Sequence, residues 1–379
     1  MEKLSLSHLN GLRPIDKPLF SLVKGWKFPN FFHSQPVFST VSCQVFHRKS
    51  PKTFSIVTLD TSGSIKENPF VIIIVSKIYQ RHGSNKPMPI IDLLGVPHSY
   101  ELTRPLANPS EPVLIYIHGW LLSRRYWQPL IQSLGEDYPC LSYDLRGFGD
   151  SPNQLRSSET TLDPGQSPYS LAAYAEDLKI LLETLNIQKA WLIGHSLGGS
   201  IALWGANLCP ERVQGVICLN AGGGIYLKEE FERFRQMGKQ LVKFRSPWLR
   251  SIPLMDQLFA RLMVDQPLEK QWGKQRLWDF TQADADAALG SLLESTTEEE
   301  VHLLPQIVAQ LSQPVYFLAG SQDKIMETQY VRYLASFHSL FNPQGKNVIE
   351  IPNCGHLAML EQPEIVIDKI RQILQISGC

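Results

Sequence analysis

The chain lacks a Cys-x-x-Cys pair. Its six cysteines, Cys43, Cys140, Cys209, Cys218, Cys354 and Cys379, are scattered, and several lie in apolar runs such as Val216-Ile217-Cys218-Leu219. That pattern predicts buried free thiols in a reducing compartment. A long apolar run is also missing. The best candidate, Phe70 to Val75, falls far short of the ~18 residues a membrane span needs. A soluble protein without an integral span is therefore expected. Net charge is missing too: Lys+Arg and Asp+Glu both total 36. Neither nucleic acid nor an acidic partner is implied by that balance. The N-terminus has no long apolar h-region, which argues against a secretory signal.

What is present is a sizeable apolar fraction, 43%, in a chain of 379 residues. Its charge is unevenly spread. Residues 1–87 hold 12 Lys/Arg against Glu2, Asp16, Asp60 and Glu67, leaving 24 basic against 32 acidic residues in 88–379. The break marks a compositional boundary. Residues 1–87 show no helical or strand period and are basic, Ser-rich and acid-poor. Three readings compete for them. They form a targeting segment, a disordered or partner-binding arm, or upstream sequence ahead of a true start at Met88. A cytoplasmic location is expected, or an organellar one if the segment is a transit peptide.

From residue 88 short apolar runs alternate with amphipathic stretches. Residues 89–102 read as two short strands turning near Gly95. Val113 to Ile117 reads as a strand buried on both faces. A helix from Arg125 to Leu134, a strand from Cys140 to Tyr143 and a strong helix from Ser170 to Leu185 follow. Then come a strand from Ala190 to Ile193, a helix from Leu197 to Leu208 and a strand from Val213 to Leu219. The alternation stops at about Gly222. It resumes with strands at Val315 to Leu318 and Asn347 to Ile351, flanked by helices at Glu327 to Phe341 and Pro363 to Gln375. Such alternation predicts an α/β fold, a mostly parallel central sheet with helices on both faces. The strandless block predicts a helical cap insertion. The expected organisation is residues 88–221 as the first part of the core, 222–310 as the cap and 311–379 as the second part of the core.

Between a predicted strand and a predicted helix lies Gly194-His195-Ser196-Leu197-Gly198. This is the G-x-S-x-G pattern of a nucleophile elbow, where a serine on a tight turn is lifted above the sheet. The glycines leave room where a Cβ would clash. A serine hydroxyl needs a neutral imidazole as base, and the imidazole needs a carboxylate to orient it. With the order Ser, acid, His, His118 and His195 are excluded as bases. Of the later histidines, His302 lies in the insertion and His338 in a predicted helix. His356 follows a strand, in Asn353-Cys354-Gly355-His356. Asp323, in Gly320-Ser321-Gln322-Asp323, is the preferred acid. The strand before the insertion ends Leu219-Asn220-Ala221-Gly222 and offers no carboxylate, and Asp144 precedes the serine and reads as structural. The oxyanion donors are expected to be the backbone N–H of Leu197 and that of Trp120, in His118-Gly119-Trp120, with Leu121 as the weaker alternative.

Together these blocks, with Tyr143-Asp144-Leu145-Arg146-Gly147-Phe148-Gly149-Asp150-Ser151, resemble the α/β-hydrolase superfamily from about Val113 to Leu374. The His-Gly-Trp loop resembles that of small aryl esterases and cofactor-free haloperoxidases. The resemblance implies an acyl-enzyme mechanism with neither metal nor cofactor. Ser196 stands where epoxide hydrolases and haloalkane dehalogenases carry aspartate. Phe231, Phe234, Phe244, Trp248, Phe259, Trp272, Trp278 and Phe280 in the insertion suggest a channel for a small apolar or aromatic acyl substrate. The expected function is serine hydrolysis of a carboxylic ester or related acyl bond. The same triad would also serve carbon–carbon bond hydrolysis, lyase chemistry or acyl transfer, and the fold alone would serve a non-catalytic ligand-binding protein.

Overall fold

A computed structural model describes residues 57–59, 65–67, 89–93, 95–106, 108, 110–153, 167–222, 228–341 and 345–378. Chain contacts divide it into two units, residues 1–85 and 86–379. In the first, β1 (Val57–Leu59) pairs antiparallel with β2 (Ile65–Glu67). The targeting, arm and early-start readings of residues 1–87 otherwise fall outside the described residues.

The second unit is built on eight strands. They are β3 (Ile90–Leu93), β4 (Val96–Leu102), β5 (Val113–Ile117), β6 (Cys140–Tyr143), β7 (Ala190–His195), β8 (Val213–Leu219), β9 (Val315–Gly320) and β10 (Val348–Ile351). Their order across the sheet is β10-β9-β8-β7-β5-β6-β4-β3. The pairs from β10 to β6 are parallel; β4 pairs antiparallel with β6 and with β3.

Every residue of β5, β6 and β7 is buried, so their apolar runs need no polar alternation. Side chains still alternate between the two faces. Val113, Ile115 and Ile117 enter one core layer, whereas Leu114 and Tyr116 enter the other. The first layer is covered by α2 (Leu171–Thr184) and α3 (Leu197–Leu208). The second is covered by α1 (Gln128–Leu134) and, at the C-terminus, by a helix over Pro363–Ile376. Ser170 caps α2, its hydroxyl accepting from Ala173 N–H.

Between β8 and β9 the described residues are helical or turn: α4 (Lys228–Phe244), a 3-10 turn (Pro247–Ser251), α5 (Met255–Phe259), α6 (Lys270–Gln282), α7 (Ala285–Ser295) and α8 (Glu298–Gln310). The chain ends with α9 (Thr328–Ala335), α10 (Ala358–Glu361) and α11 (Pro363–Ile376). The insertion lies over the carboxyl ends of the strands. Trp120 Nε1 donates to Ala288 O at 2.8 Å, Asp284 N–H to Gly147 O at 2.8 Å, and His356 N–H to Met263 O at 2.8 Å.

Two helix expectations change. The helix expected from Arg125 starts as a 3-10 turn, Arg124–Trp127, and becomes α-helical at Gln128, with Pro129 in its first turn. The helix expected to reach Phe341 stops at Ala335, and His338 sits in the following turn, buried against Gln313 O. The acidic run at Glu298 opens α8 under a Thr297 cap, and Glu300 accepts from Trp204 Nε1 at 2.6 Å.

Candidate active site

Ser196 follows β7 and precedes α3, at φ 52° and ψ −118°. That left-handed backbone is costly for a residue with a Cβ and persists only where the surroundings enforce it. Gly194 and Gly198 enforce it by permitting close contact. A Cβ on Gly194 would lie 2.2 Å from Gly198 O, and one on Gly198 2.2 Å from Ile117 O and 2.6 Å from His118 O. The elbow therefore sits directly against the loop that follows β5. That loop turns sharply: Leu121 has φ 58°, and Leu122 N–H donates to Gly119 O at 3.3 Å. Leu197 is the first residue of α3, so its N–H has no intrahelical acceptor.

Asp323 lies just beyond β9 and His356 just beyond β10. Both are buried. His356 Nδ1–H donates to Asp323 Oδ2 at 2.8 Å, while Asp323 Oδ1 accepts from Ile325 N–H at 2.9 Å and Met326 N–H at 3.0 Å. Burial would raise the Asp323 pKa, but the His356 imidazole and those two N–H groups outweigh it and hold the carboxyl below its ordinary range. The acid is thus ionised and the imidazole tautomer fixed, with Nε2 left for a proton. Among the described residues no hydrogen bond joins Ser196 Oγ to His356, and such contacts are often long before substrate binds.

The two histidines set aside as bases have other tasks. His195 is buried, and burial together with the neighbouring His356 pushes its pKa down to about 3. It is therefore neutral, and its Nε2–H donates to His356 O at 2.7 Å, tying the elbow to the loop that carries the imidazole. His118 donates from Nδ1 to Gly119 O at 2.8 Å and accepts at Nε2 from Leu145 N–H at 2.9 Å. Asp144 is fully occupied: it accepts from Arg124 N–H, from the Arg124 guanidinium and from Asp150 N–H.

Three residues escape sequence reasoning. Asn220, at the end of β8, donates from Nδ2 to Asp323 Oδ2 at 2.8 Å and to Gly355 O at 3.0 Å. It stands where a carboxylate was sought and found missing, so its position was legible but its task was not. Glu361 accepts from Gly355 N–H at 2.9 Å, Leu357 N–H at 3.0 Å and Asp265 N–H at 2.7 Å. Asp279, on α6, accepts from Ser123 Oγ at 2.9 Å and from Gln275 Nε2 at 3.0 Å. Burial raises its pKa to about 7.

A family model described as the alpha/beta hydrolase fold matches residues 112–363. The chain belongs to the α/β-hydrolase family. Within this α/β hydrolase the match runs from the residue before β5 to the first residue of α11. Among curated relatives, 2-succinyl-6-hydroxy-2,4-cyclohexadiene-1-carboxylate synthase of Enterobacter sp. is 27% identical over 283 residues, covering 71% of this chain and 94% of that one. The Arabidopsis thaliana protein PHYLLO, chloroplastic, is 26% identical over 307 residues, covering 75% of this chain but 16% of that one. Among solved structures, a thermophilic esterase from Thermogutta terrifontis aligns with a TM-score of 0.56 at 22% identity, covering 77% of this chain and 98% of that one. A bromoperoxidase from Bacillus anthracis aligns with a TM-score of 0.59 at 18% identity, covering 76% and 100%. The structural likenesses establish the fold. No helix among the described residues is long and apolar enough to cross a membrane.

Proposed function

We propose that this α/β hydrolase is a serine enzyme with Ser196 as nucleophile, His356 as base and Asp323 as the orienting acid, and that it cleaves a carboxylic ester or related acyl bond. The observation that carries the reading is the 2.8 Å Asp323–His356 hydrogen bond at the ends of adjacent strands, beside a serine held at φ 52°. His356 Nε2 takes the Ser196 proton as Oγ attacks a carbonyl carbon. The oxyanion that develops faces the N–H groups of Leu197 and Trp120. The protonated imidazole then gives its proton to the leaving alcohol, and water, activated by the same imidazole, releases the acid.

A small apolar acyl group is favoured over a polyanionic one. The three arginines buried among the described residues are already engaged, Arg124 by Asp144 and Asp150, Arg146 by Asp177 and Pro168 O, and Arg276 by Phe259 O and Leu262 O. Trp120 supplies an aromatic wall between the elbow and α7. The helical insertion over the strand ends serves as a cap. A fluorophosphonate probe tests the nucleophile: it labels the wild type and fails on Ser196→Ala. Absence of labelling in folded wild type overturns the proposal. A panel of aryl esters of increasing acyl length then reads the substrate.

A second reading follows from the curated relatives. A chain covering nearly the whole length of the Enterobacter synthase supports synthase chemistry on the same three residues. Running this protein beside that enzyme, in the assay for its product, separates the two. Product formation that depends on Ser196 without ester turnover selects the synthase.

A further inference from the structure

Ten large apolar side chains are exposed among the described residues, and seven of them lie between Leu241 and Trp278. They are Leu241, Phe244, Trp248, Leu254, Leu258, Met263 and Trp278; Phe244 is 69%, Leu254 66% and Trp248 60% exposed. The same stretch is a basic island. It carries seven Lys/Arg against three Asp/Glu, whereas the rest of residues 88–379 carries 17 against 29.

Most of the exposed groups lie on neighbouring elements. On α6, Lys270, Lys274 and Trp278 follow one another at four-residue spacing and share a face. Leu254, the residue before α5, and Leu258 within it are both exposed, as is Arg261 just beyond its end. The two helices are in close contact where Gly273 meets the Asp256 carbonyl. The 3-10 turn that carries Trp248 joins them, because the Arg250 guanidinium lies 3.9 Å from the centre of the Trp278 ring. The end of α4 adds Lys243 and Phe244, both exposed.

Apolar side chains massed in this way mark an interaction surface. The interleaved lysines indicate what it meets. The centre of a protein–protein interface is depleted in Lys. Here Lys243, Lys270 and Lys274 stand among the apolar groups, and among the described residues only Lys270 of the three has a carboxylate near, Asp256 at 3.8 Å. Long basic stems beside Trp, Phe and Leu suit a surface whose interior is apolar and whose outer layer is anionic. There the apolar chains sink while the ammonium groups stay at phosphate level.

We propose that the outward face of residues 241–278 docks on an anionic phospholipid surface. Phe244, Trp248, Leu254 and Leu258 enter the interface, and Lys243, Arg261, Lys270 and Lys274 pair with its phosphates. The docking is peripheral and independent of the chemistry at Ser196.

The test is co-sedimentation of the full chain with vesicles of phosphatidylcholine alone, or with one third phosphatidylglycerol. Binding is expected to be at least tenfold tighter to the anionic vesicles and to weaken as salt is raised. Leu254→Asn with Leu258→Ser, and separately Lys270→Glu with Lys274→Glu, each cost tenfold or more. Vesicle binding undiminished by both pairs overturns the proposal and assigns the binding to residues 1–87, which carry 12 Lys/Arg against four carboxylates. No binding at all overturns it as well. So does lipid-free self-association that both pairs abolish, which assigns the face to a second copy. Should either pair lower Tm by more than a few degrees, quenching of tryptophan emission by brominated lipid reads the same contact. Quenching in the wild type that falls in Trp248→Phe supports docking, and absence of quenching overturns it.

Discussion

Replacing Glu361 with alanine removes one acceptor shared by three backbone N–H groups. Two of them, at Gly355 and Leu357, flank His356, and the third, at Asp265, belongs to the insertion. Each hydrogen bond to an ionised acceptor contributes ~1.5–3 kcal/mol when well buried. Glu361 is half-buried, so water replaces part of what is lost, and the total cost is about 2–4 kcal/mol. In a domain of this size that lowers Tm by several degrees. The larger consequence is for the imidazole. With neither flank held, displacement of His356 by a fraction of an ångström costs ~10-fold in rate, since misplacement by ~1 Å can cost ~100-fold. Glutamine is not a conservative substitute, because its single carbonyl oxygen cannot replace both carboxylate oxygens and its NH₂ would face an N–H. Two measurements decide. Thermal unfolding reads the stability. The second-order rate of fluorophosphonate labelling of Ser196, taken well below Tm, reads the base without knowledge of the substrate. Once a substrate is in hand, kcat falls while KM holds. A Glu361→Ala protein with unchanged Tm and an unchanged labelling rate refutes the bracing role.

Asp323→Asn leaves the shape intact but removes the charge that orients His356, and labelling falls by ~10³–10⁴-fold. Asn220→Ala removes a donor from the same carboxylate, and a smaller loss, about tenfold, is expected in that assay. Ser196→Gly melts above Ser196→Ala, because glycine accepts φ 52° without strain; a difference of about 1 kcal/mol is expected, and equal Tm values count against stored strain. Asp279 has a folded pKa raised by burial to about 7 from 3.8. The folded state then holds its proton more tightly than the unfolded chain, so stability is lost as pH rises from about 4 to 7 and is flat above. Asp279→Asn removes that dependence, and its Tm gains on the wild type between pH 5 and pH 8; parallel curves contradict the assignment.

The fold was legible because buried strands and amphipathic helices alternate with clear periods, and the insertion shows itself as the place where strands stop. The placing of Asp323 and His356 was legible because strand order alone sets which loops meet at the carboxyl edge of the sheet. Asn220, Glu361 and Asp279 were not. Each acts through a hydrogen bond to a residue that folding brings near, and an asparagine, a glutamate or an aspartate in a helix or at a strand end carries no local signature of its partner. His195 was set aside as a base by chain order, and its hydrogen bond to the His356 carbonyl depends on burial that no window of sequence reports. The exposed side chains of the insertion were misleading in another way. The aromatic list pointed to a channel, yet Phe244 and Trp248 face outward, because an amphipathic period does not say which of two apolar surfaces a helix turns to solvent.

The hydrogen bond from His356 N–H to Met263 O, with Asp265 N–H on Glu361 beside it, has a bearing on how this scaffold can be re-engineered. Transplanting a whole insertion from a relative, to change what the enzyme accepts, would take the imidazole's anchor with it. Val264 backbone packs so tightly against Gly355 that a Cβ there would lie 2.7 Å away, so a donor segment must match that contour or push the histidine aside. Chimeras should therefore keep Met263, Val264 and Asp265 from the host and exchange only the helices on either side. Grafts that respect this boundary would inherit His356 in its present place, and grafts that cross it would fold around a displaced imidazole.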